Sequence, residues 1–361
     1  MRADRYKAEK QRKKKKRKII LISIFSCVLL AIIGYFTYFA LATNQVLNDI
    51  QGESLTSTST SPRPTPVKLK NKEPFSILLL GVDERPEDSG RSDSILVATV
   101  NPKLDSVKLI SLPRDTFVNL PQNKGKDKIN AAYAYGGINL AVQTVEKYLG
   151  IPIHYYAKIN MEGMVDLVDA VGGIDVVNEY PFELDGVSLD KGSYSLDGNQ
   201  ALQYARMRKQ DPAGDFGRQE RQKEVIQKVV EKGLSITSLT NFNSIFQAVG
   251  KNVETNFTGS ELWDLLNNYS SVAKNIETLN LEGKDSYLYY IPSYGQEVYV
   301  WEPTNESLSS IQQELQLHLN LETTNGEVDS SSDEAVDSSS SEITNDNSNQ
   351  IDSTEKEYNP N

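Results

Sequence analysis

The run FSILLLGVD (75–83) is almost wholly apolar until it ends on an acid. Its β-branched and apolar residues, bounded by turn formers, read as a strand, and so uniform a run belongs in the middle of a buried sheet. Two more runs follow at short spacing, SILVATV (94–100) and SVKLISL (106–112). Apolar spacing then predicts a helix over 130–149, with Gly150 as its stop. HYYAKIN (154–160) is a further strand. MEGMVDLVDAVGG keeps Met161, Met164, Val165, Val168 and Val171 at helical spacing before the strand IDVVN. DGNQALQYARMR starts a helix near Gly198 with Asp197 as N-cap. Another long helix is expected from Arg218, and further helices at 240–250, 259–273 and 305–319. YLYYIP and EVYVWEP, within 287–303, are late strands. Alternating strands and helices predict an α/β domain with a mixed, largely buried sheet. No internal repeat is visible.

The segments outside this block differ in kind. Residues 1–18 hold eleven Lys/Arg against two acids, whereas residues 322–361 hold eleven acids and one lysine. The whole-chain net charge of −11 conceals that layout. Residues 19–42 carry no charge, and 24 residues of helix reach about 36 Å, enough to cross a bilayer. The preceding lysines put the N-terminus in the cytoplasm and the rest outside. A cleavable signal peptide is the rival reading, with ALA at 40–42 resembling its cleavage site. Residues 43–73, rich in Ser, Thr and Pro, read as an extracellular tether, and residues 322–361 as a disordered acidic tail. Between them, 74–321 is long enough for one substantial core.

The single cysteine, Cys27, lies in the apolar span, so the exported part can form neither a disulfide nor a Cys-ligated metal site. Its two histidines, His154 and His318, argue against a His-rich zinc centre. A Ser-His-Asp triad would need one of them, and His154 sits in a strand where a packed role is expected.

Chemistry concentrates in YARMRKQDPAGDFGRQERQ (204–222), with Arg206, Arg208, Arg218 and Arg221 beside Asp211 and Asp215. Arg206 and Arg208 point to opposite sides of a continuous helix and converge only if it ends there. Pro212 and the glycines after it supply that break. Arg218 and Arg221 share a face of the next helix's first turn, where an anion would offset their conflict with the macrodipole. Mutual salt bridging with Asp211, Asp215 and Glu220 is the bland alternative. Three strand boundaries shift the balance: Asp83 ends the first strand, Arg91 and Asp93 precede the second, and Arg114 and Asp115 follow the third. Carboxylates that hold Mg²⁺ and arginines that fork onto phosphate oxygens together suit a pyrophosphate.

LLLGVD, GRSD, SLPRD, KINAAYAYGG, VDLVDAVGGIDV and YARMR…GDFGRQERQ, in this order over roughly 74–234, resemble the LytR-CpsA-Psr (LCP) family of bacterial envelope proteins. The resemblance implies a central mixed sheet flanked by helices on both faces, preceded by one transmembrane helix, and an apolar tunnel for a polyprenyl chain. It implies a phosphotransferase outside the cell membrane. Such an enzyme takes a wall teichoic acid or capsular polysaccharide from an undecaprenyl-pyrophosphate carrier and joins it to a peptidoglycan hydroxyl. It assigns pyrophosphate binding to Arg91, Arg114, Arg206, Arg208 and Arg218, head-group contact to Gln222, and Mg²⁺ (or Mn²⁺) to Asp83 and Asp93. Arg221 and Asp215 fall within the same motif, and Asp93 or Asp215 would be the base.

Two other readings remain at this level. A hydrolase of lipid-linked pyrophosphates would use the same residues with water as acceptor. A regulator acting through the basic N-terminus is opposed by that segment's shortness, and nucleic acid is not an expected partner.

Overall fold

The computed structural model describes residues 50–56, 66–83, 90–235, 250, 252–272, 275–284 and 286–321. The basic segment, the apolar span, most of the tether, the helix expected at 240–250 and the acidic tail lie outside them.

Fourteen strands occur among the described residues. They are β1 (Phe75–Val82), β2 (Ser92–Asn101), β3 (Ser106–Ser111), β4 (Phe117–Leu120), β5 (Gly125–Lys128), β6 (Tyr155–Asn160) and β7 (Ile174–Asn178), then β8 (Phe182–Leu184), β9 (Val187–Leu189), β10 (Gly192–Leu196), β11 (Val253–Thr255), β12 (Ile276–Leu279), β13 (Tyr287–Ile291) and β14 (Gln296–Val300). The α-helices are α1 (Ala131–Leu149), α2 (Met161–Ala170), α3 (Gly198–Arg206), α4 (Gly214–Ser235), α5 (Gly259–Tyr269) and α6 (Asn305–His318). The main sheet has the order β11-β6-β1-β2-β3-β12. It is mixed: β1 runs parallel to β6 and antiparallel to β2, and β12 runs parallel to β3. The apolar run that opened the sequence reading is the third of six strands.

Helices cover both faces. On one, Leu78, Leu80, Val82 and Val97 pack with Leu140, Val142 and Val145 of α1 and Ile311 and Leu315 of α6. These side chains are close to fully buried, so this face is a closed core. On the other, Phe75, Leu96, Ala98 and Leu109 meet Ile226 of α4 and Leu262 and Leu265 of α5, and here Ile77, Leu79 and Ile226 remain only half-buried. A third cluster joins α2, α3, α4 and the small strands around Ile174.

Several elements depart from expectation. The helix over 130–149 is kinked, because Gly136 and Gly137 leave helical geometry and Gly137 takes φ +58°, which a side chain resists. The helix expected from Arg218 begins four residues earlier, at Gly214. The tether is shorter than 43–73. Gln51 bridges Thr255 at the sheet edge, Gly52 N donates to Thr255 O at 2.8 Å, and Ile50 and Leu69 are buried. Among the described residues no helix is long and apolar enough to cross a membrane.

Candidate active site

The parallel strands β1, β3, β6 and β12 end at one edge of the sheet, and β2 begins there. Arg91, Asp93, Arg114 and Asp115 lie at this edge because they close or open those strands. A bulge aims one of them. Gly81 pairs with Ser94 and Val82 with Ser92, leaving Asp93 as the extra residue. Bulges bend a strand and turn a side chain out of the ladder's alternation. Asp83 leaves β1 opposite, its backbone N–H 3.4 Å from Arg91 O.

Arg114 Nη1 donates to Asp93 Oδ1 at 2.9 Å. Arg114 Nε lies 3.8 Å from Asp115, which Lys128 holds at 2.7 Å. The first turn of α4 completes the cluster. Arg218 Nη2 lies 3.4 Å from the Asp93 carbonyl and 3.0 Å from Asp215 Oδ1, and Arg208 Nε lies 3.7 Å from the same oxygen. Gln219 links the helix to β3, accepting from Ser111 Oγ at 3.1 Å and donating to Asp215 Oδ2 at 3.3 Å.

Electrostatics are tuned accordingly. Burial lowers the Arg218 pKa and nearby Arg114 adds to this, although Asp215 opposes both. Burial also works against the Arg114 charge, but the Asp93 hydrogen bond and charge outweigh it, and its pKa is raised. An arginine pair held this close, one member buried, is relieved by an anion.

Three buried polar atoms on one side of α4 lack a hydrogen-bond partner: Asp215 Oδ1, Arg218 Nε and Gln222 Oε1. The 3.0 Å contact of Asp215 with Arg218 is an ion pair without hydrogen-bond alignment. Residues 215, 218 and 222 are spaced three and four apart, so they share a face. Buried polar atoms are normally satisfied, and three adjacent exceptions mark a place where a polar ligand sits.

The remaining arginines divide. Arg91 flanks the cluster, its guanidinium 5.4 Å from the Tyr294 ring centroid. α3 ends at Arg206, as convergence required, yet Arg206 turns to Asp185 at 2.7 Å on the turn between β8 and β9. Arg221 corrects the expectation of a phosphate ligand. It is buried, donates from Nε to Tyr204 O at 2.9 Å, and also donates to Met207 O and to the Asp211 carboxylate. Its guanidinium ties the α3–α4 turn together. Asp115 stood among the strand-boundary acids, but its pairing with Lys128 was not foreseen, nor were the contacts of Gln219 and Tyr294.

Both histidines lie at the opposite end of the sheet, His154 against Ser76 at the start of β1 and His318 between Thr99 and Ser106. Neither can serve a triad here. Among the described residues no three His, Cys, Asp or Glu side chains form a protein-only metal cage. Asp83 and Asp93 still fit a hard cation, because Mg²⁺ commonly takes one or two carboxylates and completes its shell with water and substrate phosphates.

The model of the LytR_cpsA_psr family matches residues 37–317. A polyisoprenyl-teichoic acid–peptidoglycan teichoic acid transferase, TagU of Bacillus cereus (strain AH820), is 49% identical over 230 residues, 62% of this chain and 76% of that protein. The crystal structure of B. subtilis TagV is similar at 37% identity with a TM-score of 0.62, over 69% of this chain and 98% of that one. A structure described as TagT bound to LIIa-WTA is similar at 31% identity with a TM-score of 0.61, over 75% of this chain and all of that one.

Proposed function

Because the chain belongs to the LytR_cpsA_psr family, we propose that it is an extracellular transferase that moves a teichoic acid from a polyisoprenyl-pyrophosphate carrier to peptidoglycan. The observation that carries this reading is the facing pair of elements at the sheet edge. The Asp93–Arg114 pair stands on one side, and the buried Asp215, Arg218 and Gln222 atoms that lack a hydrogen bond stand on the other.

The chemistry follows from the parts. Arg114 and Arg218, with Arg208 and Arg91 at the flanks, grip the pyrophosphate and its developing charge. Preorganised charge of this kind is the main lever in phosphoryl transfer. The Gln222 amide, turned to present its NH₂, donates to the head group. Mg²⁺ or Mn²⁺ held by Asp83 and Asp93 would supply further neutralisation of the phosphates. An acceptor hydroxyl attacks the phosphorus attached to the polymer, and the bond to the departing polyisoprenyl phosphate breaks. The hydroxyl proton passes to an aspartate, Asp215 or Asp93. No covalent enzyme intermediate is needed. The half-buried apolar face of Ile77, Leu79, Ile226, Leu262 and Leu265 supports a berth for the carrier's hydrocarbon chain. The α1 face, packed solid, does not. Residues 19–42 would anchor the enzyme beside that lipid, with the N-terminus cytoplasmic.

The test incubates the full-length protein in detergent with a lipid-linked teichoic acid analogue, Mg²⁺ and peptidoglycan fragments. Polymer–peptidoglycan conjugate is the expected product. Free phosphorylated polymer alone would instead identify a hydrolase. Arg114→Ala should reduce conjugate formation about 10²-fold or more while the protein stays folded.

A further inference from the structure

The β13–β14 hairpin presents an open aromatic face. Its register pairs Leu288 with Tyr299 and Tyr290 with Glu297, so these four side chains point the same way. The opposite face is partly covered: Ile291 and Val300 are buried with Phe117 and the Tyr289 ring tilts against Phe117 at 4.6 Å, while Tyr287 and Tyr289 stay 39% and 44% exposed. Leu288, Tyr290 and Tyr299 are 51%, 56% and 63% exposed. Three large apolar side chains left in water at adjoining positions on one paired hairpin mark a binding surface.

Both ends of the hairpin touch segments that carry the anion cluster. At its turn, Tyr294 lies under Arg91, and Ser293 Oγ donates to Asp127 at 3.0 Å. At its base, Trp301 N donates to Asp115 O at 2.9 Å, and the Trp301 ring meets Phe216, in the first turn of α4, edge-on at 5.8 Å. Five residue pairs extend about 17 Å along the rim of the site, the length of roughly three sugar rings.

Charge selects the occupant. Of the four outward side chains of the described hairpin, Glu297 alone is charged, and Tyr287 Oη donates to Glu302 at 2.9 Å. A carboxylate among these side chains disfavours a polyphosphate donor and an anionic lipid surface alike. Tyrosine rings suit the flat C–H faces of pyranose sugars, and their hydroxyls reach amide and hydroxyl groups. We propose that the outer face of β13–β14 is the docking subsite for the acceptor's glycan strand, an N-acetylated saccharide. The strand lies along the hairpin and offers one hydroxyl to the cluster. This rests on the transferase reading above.

The test compares the full chain with its Tyr290→Ala/Tyr299→Ala and Tyr290→Trp/Tyr299→Trp variants. All three should melt alike, since both side chains are exposed. Two lost stacking contacts should weaken co-sedimentation with peptidoglycan stripped of teichoic acid about tenfold. KM for soluble glycan strands should rise by the same factor, with kcat unchanged, and the tryptophan variant should retain binding. Unaltered glycan binding and KM in the alanine variant would overturn the subsite while leaving the transferase intact. So would a loss confined to binding vesicles of phosphatidylglycerol and phosphatidylethanolamine, or a change only in self-association. Glycan binding that depends on Tyr290 and Tyr299 in a protein that transfers nothing would uphold the subsite and sink the transferase.

Discussion

Asp93 and Asp215 are two aspartates beside arginines, and their surroundings separate their roles. Asp93 sits in a strand bulge and accepts from Arg114, in reach of the segment carrying Asp83. Asp215 has one buried oxygen with no hydrogen bond, in line with Arg218 and Gln222. Asp215→Asn should lower kcat by about 10²–10⁴ if that oxygen takes the proton. Donor affinity should hold or tighten, because Arg218 and Arg208 lose a competing charge. A variant with wild-type turnover would move the base elsewhere. Asp93→Asn should instead shift the Mg²⁺ titration to higher concentration. Arg221 makes the opposite kind of prediction. Its pair with Asp211 is buried, so Arg221→Ala should destabilise the fold by about 3–5 kcal/mol in urea titration, whereas Asp215→Asn should leave stability close to wild type. The sequence showed that arginines gather here but not which way each turns. Direction is set by partners that arrive through the fold, such as Asp185 for Arg206 and the Tyr204 and Met207 carbonyls for Arg221.

Elements with strong periodicity or caps were legible: β1 to β3, α2, α3 with its Asp197–Gln200 capping box, and α6. The start of α4 was not, because Gly217 is a breaker by propensity yet lies inside the first turn of the helix, where tertiary contacts overrule it. Gly217 shows how. A Cβ there would lie 1.9 Å from an Asp211 carboxylate oxygen, so only glycine lets that carboxylate approach the helix and meet Arg221. Gly217→Ala should therefore displace Asp211, loosen the turn ahead of α4 and move Arg218. The expected outcome is a lower melting temperature together with weaker binding of a lipid-pyrophosphate analogue. Loss of stability alone would mean that the turn does not position the site. The bulge at Asp93 was equally hidden, since nothing in GRSDS distinguishes a bulged residue from a paired one. The β13–β14 strands were visible as strands, but their place beside Asp115 and Arg91 depends on contacts between distant segments.

At the scale of the whole molecule, the active edge and the histidine edge of the sheet answer to different conditions. Burial, aided by the charge of Lys108, lowers the pKa of His318, whose ring lies between Thr99 Oγ1 at 2.8 Å and Ser106 Oγ at 2.9 Å. The fold thus favours the neutral ring. This contribution is complete above the ordinary value of 6.5 and declines as pH falls from there through the lowered folded value. Melting temperature should fall with pH over that window, and His318→Gln should flatten the fall. The other edge concerns reach. Ile50 is buried, Gly52 pairs with Thr255, and Tyr156 Oη donates to Glu53 O at 3.0 Å, so the stretch from Ile50 to Glu53 is docked on the domain. If residues 19–42 form the anchor, the seven residues 43–49 bridge membrane and domain, eight residue steps from Ala42 to Ile50 and at most about 28 Å when extended. Inserting about 20 flexible residues after Asn44 would dilute the domain relative to membrane-borne donor by about sixfold, following the −3/2 power of tether length. Turnover on a full-length lipid donor in vesicles should drop by that factor, while turnover on a short-chain, water-soluble donor stays constant. Ile50→Asp, which frees the docked segment, should shift the same ratio in the same direction. Equal rates on both donors in both variants would show that the tether does not set the distance between the site and the lipid.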